Sequence, residues 1–122
     1  MKHDLKALND IALRDLFAAL CIQQGEAIDD LNWKKYNKIF HSVSVVANEM
    51  RERSGNARHL LLPFLSHQNS QVRLMAAAYT YAIAPAAARH AMEELMQTGV
   101  GHFQLSAGSF LRAIESGTGT IP

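Results

Sequence analysis

Hydrophobic residues recur at intervals of three and four along most of the chain, a period that predicts amphipathic α-helices. The pattern predicts a first helix over residues 4–24, in which a stripe of leucine and alanine is widened by Leu13 and Phe17. A second helix is predicted over residues 31–53, and the segment Asp29-Asp30-Leu31-Asn32 supplies anionic N-terminal residues and possible caps for it. The buried stripe predicted for this second helix consists of Trp33, Tyr36, Phe40, Val43, Ala47 and Met50.

A third helix is predicted over residues 57–66, and Pro63 lies well inside it. Proline lacks an N–H and its ring crowds the preceding turn, so this helix either kinks there or begins later, and we expect the kink. After a polar turn, a fourth helix is predicted over residues 71–84. It is apolar nearly all round, and no charged residue occurs from Leu74 to Ala88. This pattern indicates the central, most buried helix of the fold.

The last part of the chain predicts two more helices. Pro85 suits the first turn of a fifth helix over residues 86–98, and we expect a sixth helix capped at Ser106 or Ser109. Residues 118–122 have little to bury and are expected to form a flexible C-terminal tail. Four glycines follow runs of helical periodicity, where a left-handed residue commonly ends a helix. These glycines are Gly25, Gly55, Gly99 and Gly117.

Six helices in chain order predict an all-α fold. Composition supports it, because Ala and Leu outnumber Val, Ile and Thr together. We expect three antiparallel pairs, over residues 4–53, 57–84 and 86–116, a spacing within the range of helical solenoid repeats. The predicted architecture is therefore a short right-handed solenoid. Because the sequence does not repeat itself residue by residue, an irregular helical bundle is the alternative.

Residues 60–84 resemble a HEAT repeat, with a proline-containing first helix, a polar turn, then Val72-Arg73 and an alanine-rich second helix. HEAT repeats usually carry an acidic residue in this turn, where the present chain has Asn69. Over residues 13–117 the chain is also similar to a family of short bacterial proteins catalogued as a domain of unknown function with HEAT-like helices. The similarity implies a HEAT-like fold and carries no catalytic residues with it. It rests on Lys35-Tyr36-Asn37, on Arg53-Ser54-Gly55-Asn56-Ala57-Arg58, on the HEAT-like stretch and on Ile83-Ala84-Pro85.

With 122 residues, 48% of them hydrophobic, the chain fits one compact helical domain over residues 1–117. Cys21 is its one cysteine, so no disulfide forms within the chain and a reducing compartment is expected. No stretch reaches the roughly 18 apolar residues of a membrane span, and the N-terminus lacks the apolar core of a signal peptide. We therefore expect a cytoplasmic protein that has no membrane partner.

The histidines do not stand at the spacing of a recognised metal motif with one another, with cysteine or with acidic residues. They are His3, His41, His59, His67, His90 and His102. We expect them at scattered surface or capping positions. Cys21 has no activating base in its sequence neighbourhood, so a buried and inert thiol is expected. The sequence thus predicts no metal, no cofactor and no enzymatic activity.

Charge is distributed unevenly, although the formal net charge is only +1. Residues 1–33 carry three Lys/Arg and six Asp/Glu, a net charge of −3, whereas residues 34–59 carry six and two, a net charge of +4. One side of the second helix, away from its predicted buried stripe, carries Lys34, Lys38, His41 and Val45. A solvated face and a docking surface both fit this pattern.

The second helix of a HEAT-like pair tends to line the concave side of the stack. This tendency makes that face, together with Tyr81, the candidate partner-binding site. For Val45 and Tyr81, burial against a neighbouring helix is the alternative.

The first functional hypothesis is a non-enzymatic protein-binding module, because helical repeats offer a large rigid surface and the chain shows no catalytic set. One concrete version is an immunity protein that binds and neutralises a bacterial toxin. A nearly neutral chain argues against a cationic nuclease as that toxin. A third hypothesis is self-association into a homo-oligomer. The alternative function is nucleic-acid binding, as in HEAT-like alkylpurine DNA glycosylases, through Lys34, Lys35, Lys38, Arg51, Arg53 and Arg58.

Overall fold

The computed structural model describes residues 4–122, which contain five α-helices, two 3₁₀ segments and no strand. The predicted all-α class is confirmed. The chain divides into two compact units, one ending at Leu60 and the other formed by Leu61–Pro122. His3 lies outside the described residues. The α-helices are α1 (Asp10–Asp29), α2 (Trp33–Glu52), α3 (Ser70–Thr80), α4 (Pro85–Thr98) and α5 (His102–Ser116).

The first unit begins with a 3₁₀ segment, Leu5–Ala7, and α1 starts only after it. Asn9 has an extended backbone, and its Oδ1 accepts the N–H of Ala12 at 2.8 Å. This side-chain cap satisfies a backbone donor that the first turn of a helix leaves unpaired. The prediction of one continuous helix over residues 4–24 is therefore wrong at its start.

α1 ends in a Schellman motif whose left-handed residue is a leucine. The N–H of Leu31 donates to the carbonyl of Ile28 at 3.0 Å, and the N–H of Asn32 donates to the carbonyl of Ala27 at 2.9 Å. Leu31 has a φ of 54° in this motif, where glycine is the usual residue. The predicted stop at Gly25 is wrong, because α1 continues through that glycine. A glycine inside a helix costs only about 1 kcal/mol, which the packing of α1 on α2 offsets.

α2 starts directly after this turn, because Asn32 Oδ1 accepts the N–H of Lys35 at 3.1 Å and caps the helix. Asn32 is thus the cap within the segment predicted to supply one. The stripe predicted for α2 is buried only in its C-terminal half. Trp33 and Phe40, both predicted to be buried, are exposed. The buried face instead follows a second apolar stripe with helical spacing, which is rotated by roughly a fifth of a turn from the aromatic residues. Its members are Ile39, Val43, Val46, Ala47 and Met50.

A cluster of charges joins the end of α2 to the start of the unit. Arg53 donates to the carboxylates of Asp10 at 2.8 Å and Glu49 at 2.9 Å. It also donates to the carbonyl oxygen of Leu5 at 2.7 Å. The hydrogen bond from Arg53 holds the pKa of Glu49 below its ordinary value. Lys6 lies 3.5 Å from the same carboxylate and adds to this effect.

The segment Ala57–Ser66 is a 3₁₀ helix, so the prediction of a kinked α-helix is wrong. Two left-handed residues, Gly55 at φ 75° and Asn56 at φ 55°, precede it. Asn56 Oδ1 accepts the N–H of Arg58 at 3.3 Å, in the first turn of this segment. In a 3₁₀ helix each N–H pairs three residues back, so Pro63 removes one bond without the clash it would cause inside an α-helix.

In the second unit α3 is the most deeply buried element, with eight buried residues among its eleven. The burial expected of this charge-poor segment is confirmed. Asn69 Oδ1 accepts the N–H groups of Gln71 at 2.9 Å and Val72 at 3.1 Å and starts the helix. α3 packs on α4 and α5. The core of this unit includes Leu74, Ala77, Ala88, Ala91, Met92, Leu95, Ala107 and Leu111.

Glycine and proline set the ends of the last two helices. Pro85 occupies the first turn of α4, as predicted. α5 begins at His102, after Gly101 at φ 63°, so the predicted caps at Ser106 and Ser109 are wrong. The backbone at Gly101 is left-handed, and glycine adopts that conformation without steric cost.

Three of the predicted helix-ending glycines do follow helices. Gly117 ends α5 at φ 73°, and Gly55 lies beyond α2 in the left-handed conformation, as expected. Gly99 ends α4 with an extended backbone, φ −68° and ψ 156°, so its predicted left-handed conformation is wrong. The N–H of Thr118 donates to the carbonyl of Ala113 at 3.0 Å and continues the hydrogen bonding past the end of α5.

Candidate functional site

The predicted cationic face of α2 is open to solvent. Lys34, Lys38 and His41 are exposed, and the side chain of Val45 beside them is 41% exposed. None of these three basic side chains forms an ion pair with another residue of the described range. The four residues extend along about three turns of helix. Their charges are therefore free to meet those of a partner.

An aromatic ridge lies along the first two turns of the same helix and consists of Trp33, Tyr36 and Phe40. Trp33 is 53% exposed and Phe40 is 46% exposed, whereas Tyr36 is half-buried between them. The rings of Trp33 and Tyr36 meet edge to face with centroids 5.9 Å apart, and those of Tyr36 and Phe40 are 6.2 Å apart. Such contacts preorganise the three rings as one apolar surface.

The turn between α1 and α2 exposes a further large apolar side chain. Leu31 is 71% exposed, and its left-handed backbone presents a large hydrophobic side chain to solvent. Left-handed backbone costs a side-chain-bearing residue on the order of 1–2 kcal/mol. Strain of this kind accumulates at binding sites more often than elsewhere. The carboxylates of Asp29 and Asp30 are exposed in the same turn.

Sequence reasoning missed the aromatic ridge as a functional feature, because its residues have the spacing of a core stripe. The signal that could have revealed it is the competing stripe through Ile39, Val43 and Val46. Both stripes share Val43, Ala47 and Met50, and they diverge over the first two turns of α2, where one carries the aromatic rings and the other carries Ile39. The branched aliphatic stripe is the one that the fold buries.

Tyr81 belongs to the second unit and is engaged there. Its ring packs edge-on against Phe110 with centroids 5.8 Å apart, and it is half-buried. Its hydroxyl accepts a hydrogen bond from Arg89 at 3.3 Å, while Arg89 also contacts Glu115 at 3.2 Å. Both hydrogen bonds raise the pKa of Arg89, and the bond to the Tyr81 hydroxyl has the larger effect. The surface on α2 is therefore defined without Tyr81.

Two of the basic residues considered for nucleic-acid binding serve the structure of the first unit. Arg53 is engaged by Asp10 and Glu49, as described above. Arg58 is only 5% exposed, and burial, followed by the charge of Arg51, lowers its pKa. The exposed cations of this region are thus fewer than its net charge suggests. They are Lys34, Lys35, Lys38 and Arg51.

A shallow groove of about 290 Å³ runs between α4 and α5 in the second unit. Buried Gly108 and Leu111 lie along it, and the charged pair of Arg89 and Glu115 lies at its side. Glu93 and Arg112 also line the groove, so its lining carries two charges of each sign.

Cys21 and the possible metal ligands were considered as candidate sites among the described residues. Cys21 is fully buried, and burial raises the pKa of its thiol, which favours the unreactive protonated form. Among residues 4–122 no group of three or more His, Cys, Asp or Glu side chains could hold a metal ion. His90 contacts Glu94 at 2.8 Å on the surface of α4. None of the described helices has the length and apolar character needed to cross a membrane.

Comparison with known proteins identifies the family. The family model of a domain of unknown function, DUF2019, matches residues 11–115, and the chain belongs to this family. The chain is also similar to the crystal structure of the protein RPA1889 from Rhodopseudomonas palustris CGA009. The two are 31% identical in sequence, and they superimpose with a TM-score of 0.92 over 98% of each chain. No curated protein matches this sequence. The resemblance stated from the sequence is confirmed at the level of the family.

Proposed function

We propose that this chain is a non-enzymatic protein-binding module that docks its partner on the exposed side of α2. The observation that carries the proposal is the aromatic ridge, in which Trp33 and Phe40 are exposed, on a helix whose other side carries the unpaired Lys34 and Lys38. Contiguous exposed apolar side chains mark interaction surfaces. Tryptophan and tyrosine are also enriched among the residues that dominate binding energy at protein interfaces.

A HEAT-like arrangement of antiparallel helix pairs in a short right-handed solenoid is part of this proposal. The connection between α1 and α2 is only three residues long, Asp30 to Asn32, and short connections favour antiparallel neighbours. Such repeats present their second helices as a rigid surface, which loses little conformational entropy when a partner binds. The candidate residues Lys34, Lys38, His41 and Val45 all lie on such a second helix.

An immunity protein that occludes a bacterial toxin is the concrete form of module that we propose. The mixed charges around the α2 surface suit a toxin of ordinary charge, since both signs are exposed there. We place this binding in the cytoplasm, where a lone buried thiol such as Cys21 stays reduced.

Nucleic-acid binding through the basic part of α2 is the second candidate function. Exposed aromatic rings can stack bases while exposed lysines neutralise phosphates, and α2 carries both kinds of residue, which favours this candidate. Against it, Arg53 and Arg58 are occupied within the fold, and the carboxylates of Asp29 and Asp30 would repel a polyanion. A protein partner accommodates the mixed signs better.

Site-specific photocrosslinking in the native cell tests the proposed function. The photoreactive residue p-benzoylphenylalanine replaces Lys38 in one variant and the exposed Gln97 of α4 in the control. We expect a specific protein adduct from position 38 that position 97 does not give. The adduct should disappear when the variant also carries Lys34→Glu. Equal adducts from both positions, or an adduct with nucleic acid, would overturn the proposal.

A further inference from the structure

The groove between α4 and α5 is lined by two charges that the described chain leaves unpaired. Its volume of about 290 Å³ is close to the lower limit for small-molecule sites. Arg89 and Glu115 line it as an ion pair at 3.2 Å, so these two charges balance each other. Glu93 of α4 and Arg112 of α5 line it too, and neither forms an ion pair with a residue of the range 4–122. A carboxylate and a guanidinium thus line the same groove from two helices without meeting.

A buried glycine makes room for the guanidinium of Arg112 at this groove. Gly108 lies inside α5, where glycine is less favourable than alanine. A Cβ at this residue would lie 3.1 Å from Nη1 of Arg112 and 3.6 Å from the methyl carbon of Met96. The arginine side chain therefore folds back over its own helix, and its Nη2 donates to Ser109 Oγ at 3.4 Å. These contacts hold the guanidinium at the groove and leave further N–H groups for a ligand.

The remaining lining combines apolar side chains with one amide. Leu111 is almost fully buried, whereas Met96 is 39% exposed and offers its thioether and methyl group to a ligand. Gln97 follows Glu93 by one helical turn and adds an amide on the α4 side. A few polar groups placed around an apolar surface are typical of small-molecule sites.

We propose that this groove binds a small zwitterion with an apolar side chain, of the size of an amino acid or a dipeptide. The carboxylate of the ligand accepts hydrogen bonds from Arg112, because a guanidinium matches a carboxylate in shape and charge. Its ammonium group donates to Glu93, and its side chain packs on Met96. A ligand with a single charge would satisfy only one of the two unpaired groups. This binding is separate from the docking of a protein on α2 and does not depend on it.

The methyl group of Met96 gives a direct readout of the groove. Carbon-13 labelling of the methionine methyl groups gives this residue its own NMR signal, which the variant Met96→Leu assigns. The probes are L-leucine, whose two charges are close together, and glycyl-L-leucine, whose charges are further apart. Each probe is also used in an N-acetylated form that lacks the ammonium group and in an amidated form that lacks the carboxylate. All are titrated into the full chain at neutral pH.

We expect a zwitterionic probe to shift the Met96 signal with a Kd of about 1 mM and each blocked form to bind roughly fivefold more weakly. Glu93→Gln should remove the preference over the N-acetylated form, and Arg112→Gln should remove the preference over the amidated form. Glu94→Gln, which replaces a neighbouring exposed acid outside the groove lining, is the matched control and should keep both preferences. Gly108→Ala should preserve the helix, displace the guanidinium and weaken binding of the zwitterion.

Three results would overturn the inference: no shift of the Met96 signal at concentrations roughly tenfold above the expected Kd, equal binding of the zwitterions and their blocked forms, or preferences that survive both Glu93→Gln and Arg112→Gln. Tighter binding of L-leucine would identify a free amino acid as the ligand, whereas tighter binding of glycyl-L-leucine would identify a short peptide. Each of these two orders supports the inference. The crosslink at position 38 tests the function of α2 and is decided separately from the groove.

Discussion

Leu31 and Gly117 occupy the same position in the same helix-ending motif. Each is the left-handed residue of a Schellman motif, Leu31 at φ 54° after α1 and Gly117 at φ 73° after α5. Glycine fits this conformation without strain, whereas leucine does not. The fold therefore accepts a steric cost at Leu31, in the turn where the apolar surface of α2 begins.

Leu31→Gly should stabilise the chain and weaken its binding. We expect a gain of about 1 kcal/mol in the free energy of unfolding, because relief of left-handed strain exceeds the entropic cost of glycine. Urea unfolding followed by circular dichroism measures this change. The matched control is Gly117→Leu, which should destabilise by a similar amount. A loss of stability in Leu31→Gly would show that the exposed leucine side chain contributes packing that the strain argument neglects.

The carboxylate of Glu49 should make stability depend on pH in the acid range. The hydrogen bond from Arg53 lowers the pKa of Glu49 below its ordinary value of 4.5. The unfolded chain then takes up this proton at a higher pH than the folded chain does. The resulting stabilisation is present above about pH 4.5 and is lost as the pH falls through the folded-state pKa.

Glu49→Gln should therefore unfold at a lower urea concentration than the wild type at pH 7, and the difference should narrow below pH 4.5. Glu52→Gln, which replaces an exposed acid in the last turn of α2, is the matched control. A difference between Glu49→Gln and the wild type that stays constant from pH 7 to pH 3 would contradict the proposed role of this carboxylate.

The thiol of Cys21 should be inert in the folded chain. It is fully buried, and burial raises its pKa, so the reactive thiolate is suppressed. We expect no labelling by a thiol-specific reagent at pH 8 until urea unfolds the chain, with labelling and loss of helicity coinciding. Rapid labelling of the native chain would place Cys21 among accessible nucleophiles instead.

Two substitutions at nearby positions of α2 should distinguish residues that stabilise the fold from residues that bind the partner. Val43→Ala removes a fully buried side chain and should destabilise by about 1–2 kcal/mol, with binding at the surface retained. Phe40→Ser alters a side chain that is 46% exposed and should cost less than about 1 kcal/mol while weakening the partner adduct at position 38. Chemical unfolding and crosslinking measure the two effects. If Phe40→Ser destabilised the chain more than Val43→Ala and left the adduct unchanged, Phe40 would belong to the core.

The caps illustrate how far local sequence determines this fold. Asn32 and Asn69 are N-caps because their short side chains reach backbone N–H groups in the first turn of the helix. No local signal of this kind marks the true end of α1. The sequence instead suggested a stop at Gly25, and α1 continues through this glycine. The predicted stop therefore misplaced the turn that carries Leu31.

The candidate site was predicted in part for a similar reason. Lys34 and Lys38 face away from both apolar stripes of α2, so their exposure follows from the sequence pattern alone. The choice between the stripes through Ile39 and Phe40 depends on how α1 packs, and no local pattern decides it. For this reason the aromatic ridge emerged from the structure, although its residues were conspicuous in the sequence.

The central claim is that Trp33 is open in the free chain and covered in the complex. Biosynthetic 5-fluorotryptophan gives a single fluorine NMR resonance, because Trp33 is the one tryptophan. Its shift between light and heavy water reports solvent contact directly. We predict a clear solvent shift for the free chain that is lost in the purified complex with the protein captured at position 38. A resonance insensitive to solvent in the free chain, or equally sensitive in both states, would contradict the claim.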